Sequence, residues 1–159
     1  MSMRPWNRRN LLLASAQALV AACLVACGGG DSESSSGGTL SVGTSATVNA
    51  IDYRLSDATI QIEGAESATL ATATPPSPLP LLQALTPGEY SVELEAGWVL
   101  ERQMGTTFSA VTGATLTSMN PQTVTVIQGQ VLRFGFVFDV AGVAVDLEPA
   151  AGEIDQGYD

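Results

Sequence analysis

Thr86-Pro87-Gly88-Glu89-Tyr90-Ser91-Val92-Glu93-Leu94-Glu95 is the stretch that decides the fold. Pro87 presets φ and Gly88 tolerates a positive φ, so the pair suits a tight turn. From Tyr90 onward apolar and polar residues alternate, which places Tyr90, Val92 and Leu94 on one face of a strand and Ser91, Glu93 and Glu95 on the other. Tyr90 stands close enough to the turn to bury its ring and return its hydroxyl to the backbone there.

The same period of two recurs on both sides. Ile60 and Ile62 alternate with Thr59, Gln61 and Glu63, and Thr123-Val124-Thr125-Val126 repeats the pattern. Leu132 to Phe138 puts Phe134, Phe136 and Phe138 on one side, and Gly142 to Leu147 closes the series. Turn signals separate these runs at Pro87-Gly88, Gly97, Gly113, Asn120-Pro121, Gln128-Gly129-Gln130 and Ala141-Gly142. No long stretch after residue 38 has helical periodicity. The expectation is an all-β domain over residues 39–148, an antiparallel β-sandwich of about seven or eight strands. Residues 74–80, Thr-Pro-Pro-Ser-Pro-Leu-Pro, cannot lie inside a strand, because proline lacks the amide donor. They form an extended connection between sheets or a loop guarding an edge.

Three segments carry a family resemblance: Leu85-Thr86-Pro87-Gly88-Glu89-Tyr90, the pair Gly97-Trp98, and Val124-Thr125-Val126-Ile127-Gln128-Gly129-Gln130. In this order they resemble the carboxypeptidase-regulatory-like and Cna-B-like domains, whose Ig-like, prealbumin-like sandwiches share an L-x-P-G-x-Y turn, a Gly-aromatic pair and a V-x-V-x-x-G-Q ending. The likeness covers residues 55–140. It implies a tyrosine corner at Tyr90 and a Trp98 ring packed at the core edge. Residues 102–118 look like an insertion against that pattern, and the early strand is blurred around residues 40–58. Such modules act as spacers, adhesin stalks or carbohydrate-associated accessory domains, and fold alone transfers none of these roles.

The amino terminus has its own pattern. Arg4, Arg8 and Arg9 precede an apolar run from Leu11 to Ala26, shorter than the roughly 20 residues of a bilayer span. Its end, Leu24-Val25-Ala26-Cys27, resembles the lipobox of bacterial lipoproteins. The resemblance implies a signal peptide over residues 1–26, diacylglycerol on the Cys27 thiol and acylation of the new amine. Gly28 at the next position implies sorting to the outer membrane. Arg8-Arg9 also weakly resembles a twin-arginine signal, so the export route stays open between the general secretory and twin-arginine pathways. Residues 27–38 then read as the lipidated cysteine and a flexible Gly/Ser tether, and residues 149–159 as an acidic flexible tail.

Charge narrows the function classes. There is no lysine, and three arginines against 16 carboxylates leave the chain from Cys27 onward at a formal charge of −13. Such a surface repels phosphate backbones and anionic head groups, so nucleic acid is excluded as a partner and the expected membrane contact is the lipid anchor. Cys27 is the sole cysteine left after cleavage, so no disulfide is available. Without histidine or lysine, the usual general bases, triads and Schiff-base chemistry lack their residues, and no cofactor is expected.

Candidate sites are correspondingly few. Glu93 and Glu95 lie about 7 Å apart on one strand face, a spacing that a carboxylate-dependent hydrolase could use, but an ordinary solvated strand face flanking inward Val92 and Leu94 is the favoured reading. Asp139, Asp146 and Asp155, with Glu148, Glu153 and Asp159, are weak calcium candidates or simply an acidic tail. Trp98 is the candidate glycan contact. The leading expectation is a non-enzymatic envelope lipoprotein presenting a binding or structural module to an envelope protein or glycan. A glycan- or peptidoglycan-binding module is the alternative, and a hydrolase the distant third.

Overall fold

The alternation around Tyr90 forms the centre of one sheet. In a computed structural model, which describes residues 37–150, it becomes β7 (Gly88–Leu94). The strands before it are β1 (Gly38–Val42), β2 (Ser45–Val48), β3 (Ile51–Ser56), β4 (Thr59–Gly64), β5 (Ser67–Ala71) and β6 (Leu81–Leu85). Those after it are β8 (Val99–Met104), β9 (Thr107–Ala110), β10 (Thr115–Leu116), β11 (Gln122–Val126), β12 (Val131–Phe134), β13 (Val137–Val140) and β14 (Val143–Asp146). The described residues are all-β and form a sandwich, as expected. The cleavage site, Cys27 and nearly all of the tether lie outside them, as does the tail beyond Ala150.

β7 lies between β11 and β4, with β5 beyond, in a wholly antiparallel four-stranded sheet. Its register sets Val92 opposite Ile62 and Leu94 opposite Ile60, so the inward rows of neighbouring strands coincide. Tyr90, Val92, Leu94, Ile60 and Ile62 are all buried. Pro87 bends the chain into β7, but Gly88 does not take a positive φ; it opens the strand, paired with Val126.

The strand count departs from about seven or eight: the described residues contain 14 strand segments in four sheets. One cause is that short segments also pair. β2, β9 and β10 have four residues or fewer, too few for alternation to stand out, and β8 opens on two adjacent apolar residues. Residues 102–118, read as an insertion, complete β8 and form β9 and β10. The other cause is that two long strands change sheet midway. β1 continues into β2 through Gly43-Thr44, and β12 into β13 through Gly135-Phe136. Gly43 N still donates to Phe134 O at 2.9 Å and Leu55 N to Thr44 O at 2.7 Å, so the ladder hands over without a loop.

The sheets are not uniformly antiparallel. β1 runs parallel to β12, with β6 antiparallel on its other side. β2-β3-β8-β9 and β10-β13-β14 are antiparallel. A single cluster of buried residues joins all four sheets, from Leu40 and Val42 through Leu55 and Leu100 to Phe136, Phe138 and Val145. The proline-rich segment 74–80 is the first of the two alternatives its composition left open, a connection between sheets leading from β5 to β6.

Candidate functional site

The sheet β2-β3-β8-β9 has two chemically different faces, and its register shows why. Ser45, Arg54, Glu101 and Ala110 stand in one row across the four strands. Thr47 and Asp52 pair one pleat along, and Phe108 faces Gln103 on the hairpin of β8 and β9. Side chains two apart share a face, so these residues form a single polar surface. The intervening residues Leu55 and Leu100 go to the core.

Two other segments turn this surface into a groove of about 710 Å³. Pro76 and Pro78 form one wall, fastened where Ser45 Oγ donates to Pro78 O at 2.8 Å and Thr44 Oγ1 to Leu79 O at 3.3 Å. Asp146, Glu148 and Ala150, from the end of β14 onward, form the other. Asp146 Oδ1 accepts from Glu148 N at 2.9 Å, and Glu148 Oε1 is 4.0 Å from Arg133 Nε.

Arg54 is the best-held side chain of the groove. Its Nε donates to Glu101 Oε2 at 2.6 Å, and its guanidinium carbon lies 3.8 Å from the centre of the Phe108 ring. The ion pair fixes the guanidinium edge and the ring fixes its plane. Both Nη groups are without a partner among the described residues. Nearby, Thr47 Oγ1 donates to Asp52 Oδ1. The groove therefore offers guanidinium N–H donors beside carboxylate acceptors.

The residues singled out in the sequence fall elsewhere, with two exceptions, Asp146 and Glu148. Asp146 lines the groove, whereas Asp139 accepts from Gly142 N at 3.2 Å in the β13–β14 turn. Asp155 and Cys27 are outside the described residues. Among the described residues no group of three or more His, Cys, Asp or Glu side chains could hold a metal ion. Glu93 and Glu95 lie on the outer face of the β7 sheet, where Gln61 Nε2 donates to Glu95 Oε1 at 3.1 Å, and they are not among the residues lining this groove. Trp98 is half-buried, its ring centre 4.8 Å from that of Phe138 at an interplanar angle of 64°. This edge-to-face packing uses the ring to cover the core.

The groove residues Thr47, Asp52, Arg54 and Phe108 were missed because they are the outward-facing members of β2, β3 and β9, and no local pattern gives the partners they meet across the sheet. One signal was present: Ser45-x-Thr47 and Asp52-x-Arg54 each repeat a hydrogen-bonding side chain at a period of two. No protein family, curated protein or solved structure matches the chain.

Proposed function

We propose that this chain is an exported lipoprotein of the bacterial envelope, anchored through Cys27, that displays a non-enzymatic β-sandwich module for ligand binding. The anchor rests on Leu24-Val25-Ala26-Cys27 at the end of the apolar run. The observation that carries the binding role is the groove with Arg54 held between Phe108 and Glu101. An arginine fixed on two sides at a concave polar surface is organised before a ligand arrives, which reduces the ordering cost of binding. Between Cys27 and the module the sequence is rich in Gly and Ser, the composition of a linker. In this reading Trp98 supports the core and does not touch the ligand.

Two measurements on producing cells test the proposal. Alkynyl-palmitate labelling is expected on the wild-type chain and absent from Cys27→Ser, which leaves the membrane fraction. A photo-crosslinking residue at Thr47 is expected to capture envelope material that the same residue at Glu93 does not. An unlabelled wild type refutes the anchor; equal capture from both faces refutes the groove as the binding surface.

A further inference from the structure

We infer that the groove takes a neutral, polyhydroxylated ligand, a glycan chain, held on Arg54. The inference rests on the binding-module reading and adds the ligand class. A volume of about 710 Å³ is within the usual range for small-molecule and oligomer subsites. The decisive feature is the mixture of hydrogen-bonding groups. Arg54 can only donate, Asp52, Asp146 and Glu148 as carboxylates only accept, and the hydroxyls of Ser45 and Thr47, whose protons go to Pro78 O and Asp52 Oδ1, add two more acceptors. A ligand matched to adjacent fixed donors and fixed acceptors must itself donate and accept over short distances. Hydroxyl groups on neighbouring carbons do this; a carboxylate, a phosphate or an ammonium does only half.

Charge points the same way. The three groove carboxylates exceed its one cation, and the chain from Cys27 onward is at −13, so an anionic ligand is repelled from the groove and from the protein around it. A cationic ligand is drawn to the carboxylates but has to lie beside a guanidinium that cannot swing away, clamped by Glu101 at 2.6 Å and stacked on Phe108. A neutral ligand incurs neither repulsion. Phe108, Pro76 and Pro78 supply the apolar surface on which the C–H face of a sugar ring can rest.

The test uses the full chain purified from envelopes in a detergent without a sugar head group. It is applied to an array of neutral hexose and N-acetylhexosamine oligosaccharides, and the best of these is titrated by calorimetry, with spermine as the cationic probe. The expected result is binding of a neutral oligosaccharide that does not weaken as salt is raised. Arg54→Gln and Arg54→Lys should each weaken it by roughly tenfold, the scale of one lost charge-assisted hydrogen bond. Lysine keeps the charge but not the fork or the stack. Asp52→Asn, on the acceptor side, should weaken it independently, and urea unfolding of each variant checks that the fold is intact. The inference is overturned if the folded wild type retains no neutral oligosaccharide, or if Arg54→Gln leaves the affinity unchanged. Salt-sensitive binding of spermine alone overturns it in favour of a cationic ligand. Capture of an envelope protein by the Thr47 crosslinker without any glycan binding removes the ligand class and leaves the binding-module reading standing.

Discussion

The hydroxyl of Tyr90 donates to the backbone carbonyl of Thr86, 2.9 Å away, and lies 2.9 Å from the Thr86 hydroxyl as well. The ring is buried, and the Glu66 carboxylate completes the cluster by accepting from Thr86 N. The turn before β7 is thus tied to the strand that follows it. Tyr90→Phe keeps the ring and removes only these polar contacts, so it should cost about 1–2 kcal/mol. Urea unfolding checks this, with the midpoint lowered and the slope unchanged. An unchanged midpoint would mean that the hydroxyl contributes nothing to holding the turn.

At Gly43 an added Cβ would lie 1.6 Å from Leu147 O, and at Gly135 it would lie 2.2 Å from Glu148 N. Both glycines sit where a strand changes sheet, and the chain after β14 crosses directly against them. The obstruction is backbone, which no side-chain rotation relieves. Gly43→Ala and Gly135→Ala should therefore destabilise the fold by more than about 3 kcal/mol and displace the wall carrying Glu148. Gly105 gives the contrast. Its φ is +65° with nothing near an added Cβ, so Gly105→Ala should cost only about 1–2 kcal/mol. Similar thermal midpoints for Gly43→Ala and Gly105→Ala would refute the crossing as a packing constraint.

How much of this was legible follows the same division. β4, β7 and β11 were readable from alternation, together with their inward rows, because a sheet with one dry and one wet face writes its register into the sequence. The three phenylalanines 134, 136 and 138 were read correctly as core, yet the strand containing them divides at Gly135-Phe136 between two sheets. That division depends on Leu147 and Glu148, which no local pattern around Gly135 can announce. The groove was hidden for a related reason. Arg54, Phe108, Pro78 and Asp146 come from four separate segments, and only the register and the docking of residues 74–80 bring them together. Trp98, a carbohydrate candidate by residue type, lies away from the groove residues because its ring seats on Phe138.

Asn120 acts as a one-residue substitute for a strand partner. Its Oδ1 accepts from Leu94 N and its Nδ2 donates to Leu94 O, both at 2.8 Å, at the end of β7. Leu94 is almost fully buried. Asn120→Ala should leave both backbone groups short of a partner and cost about 2–3 kcal/mol. Asn120→Asp should be worse at neutral pH, because a carboxylate oxygen then faces the Leu94 carbonyl. Folding of that variant favours the protonated acid, which raises the carboxyl pKa in the folded state. Its stability should therefore be greatest in acid and fall as pH rises through the carboxylate range. Equal denaturation midpoints for the Asp variant in acid and at neutrality would contradict the paired geometry.

Trp98 is the only tryptophan from Cys27 onward, so in a chain cleaved before Cys27, as proposed, its fluorescence reports one place in the fold. Its edge-to-face contact with Phe138 and its packing on the buried cluster make it a structural residue. Trp98→Ala should therefore cost about 2–4 kcal/mol, the scale for removing a large aromatic ring from a partly buried site. Trp98→Phe should recover most of that loss and leave oligosaccharide binding at the groove intact. Emission from the wild type should stay constant on titration with the oligosaccharide and shift to the red only on unfolding. A Trp98→Ala variant that unfolds at the wild-type midpoint but no longer binds would reverse the assignment. It would make the ring a ligand platform and require the glycan contact to be sought on the Gly97-Trp98 side of the sheet.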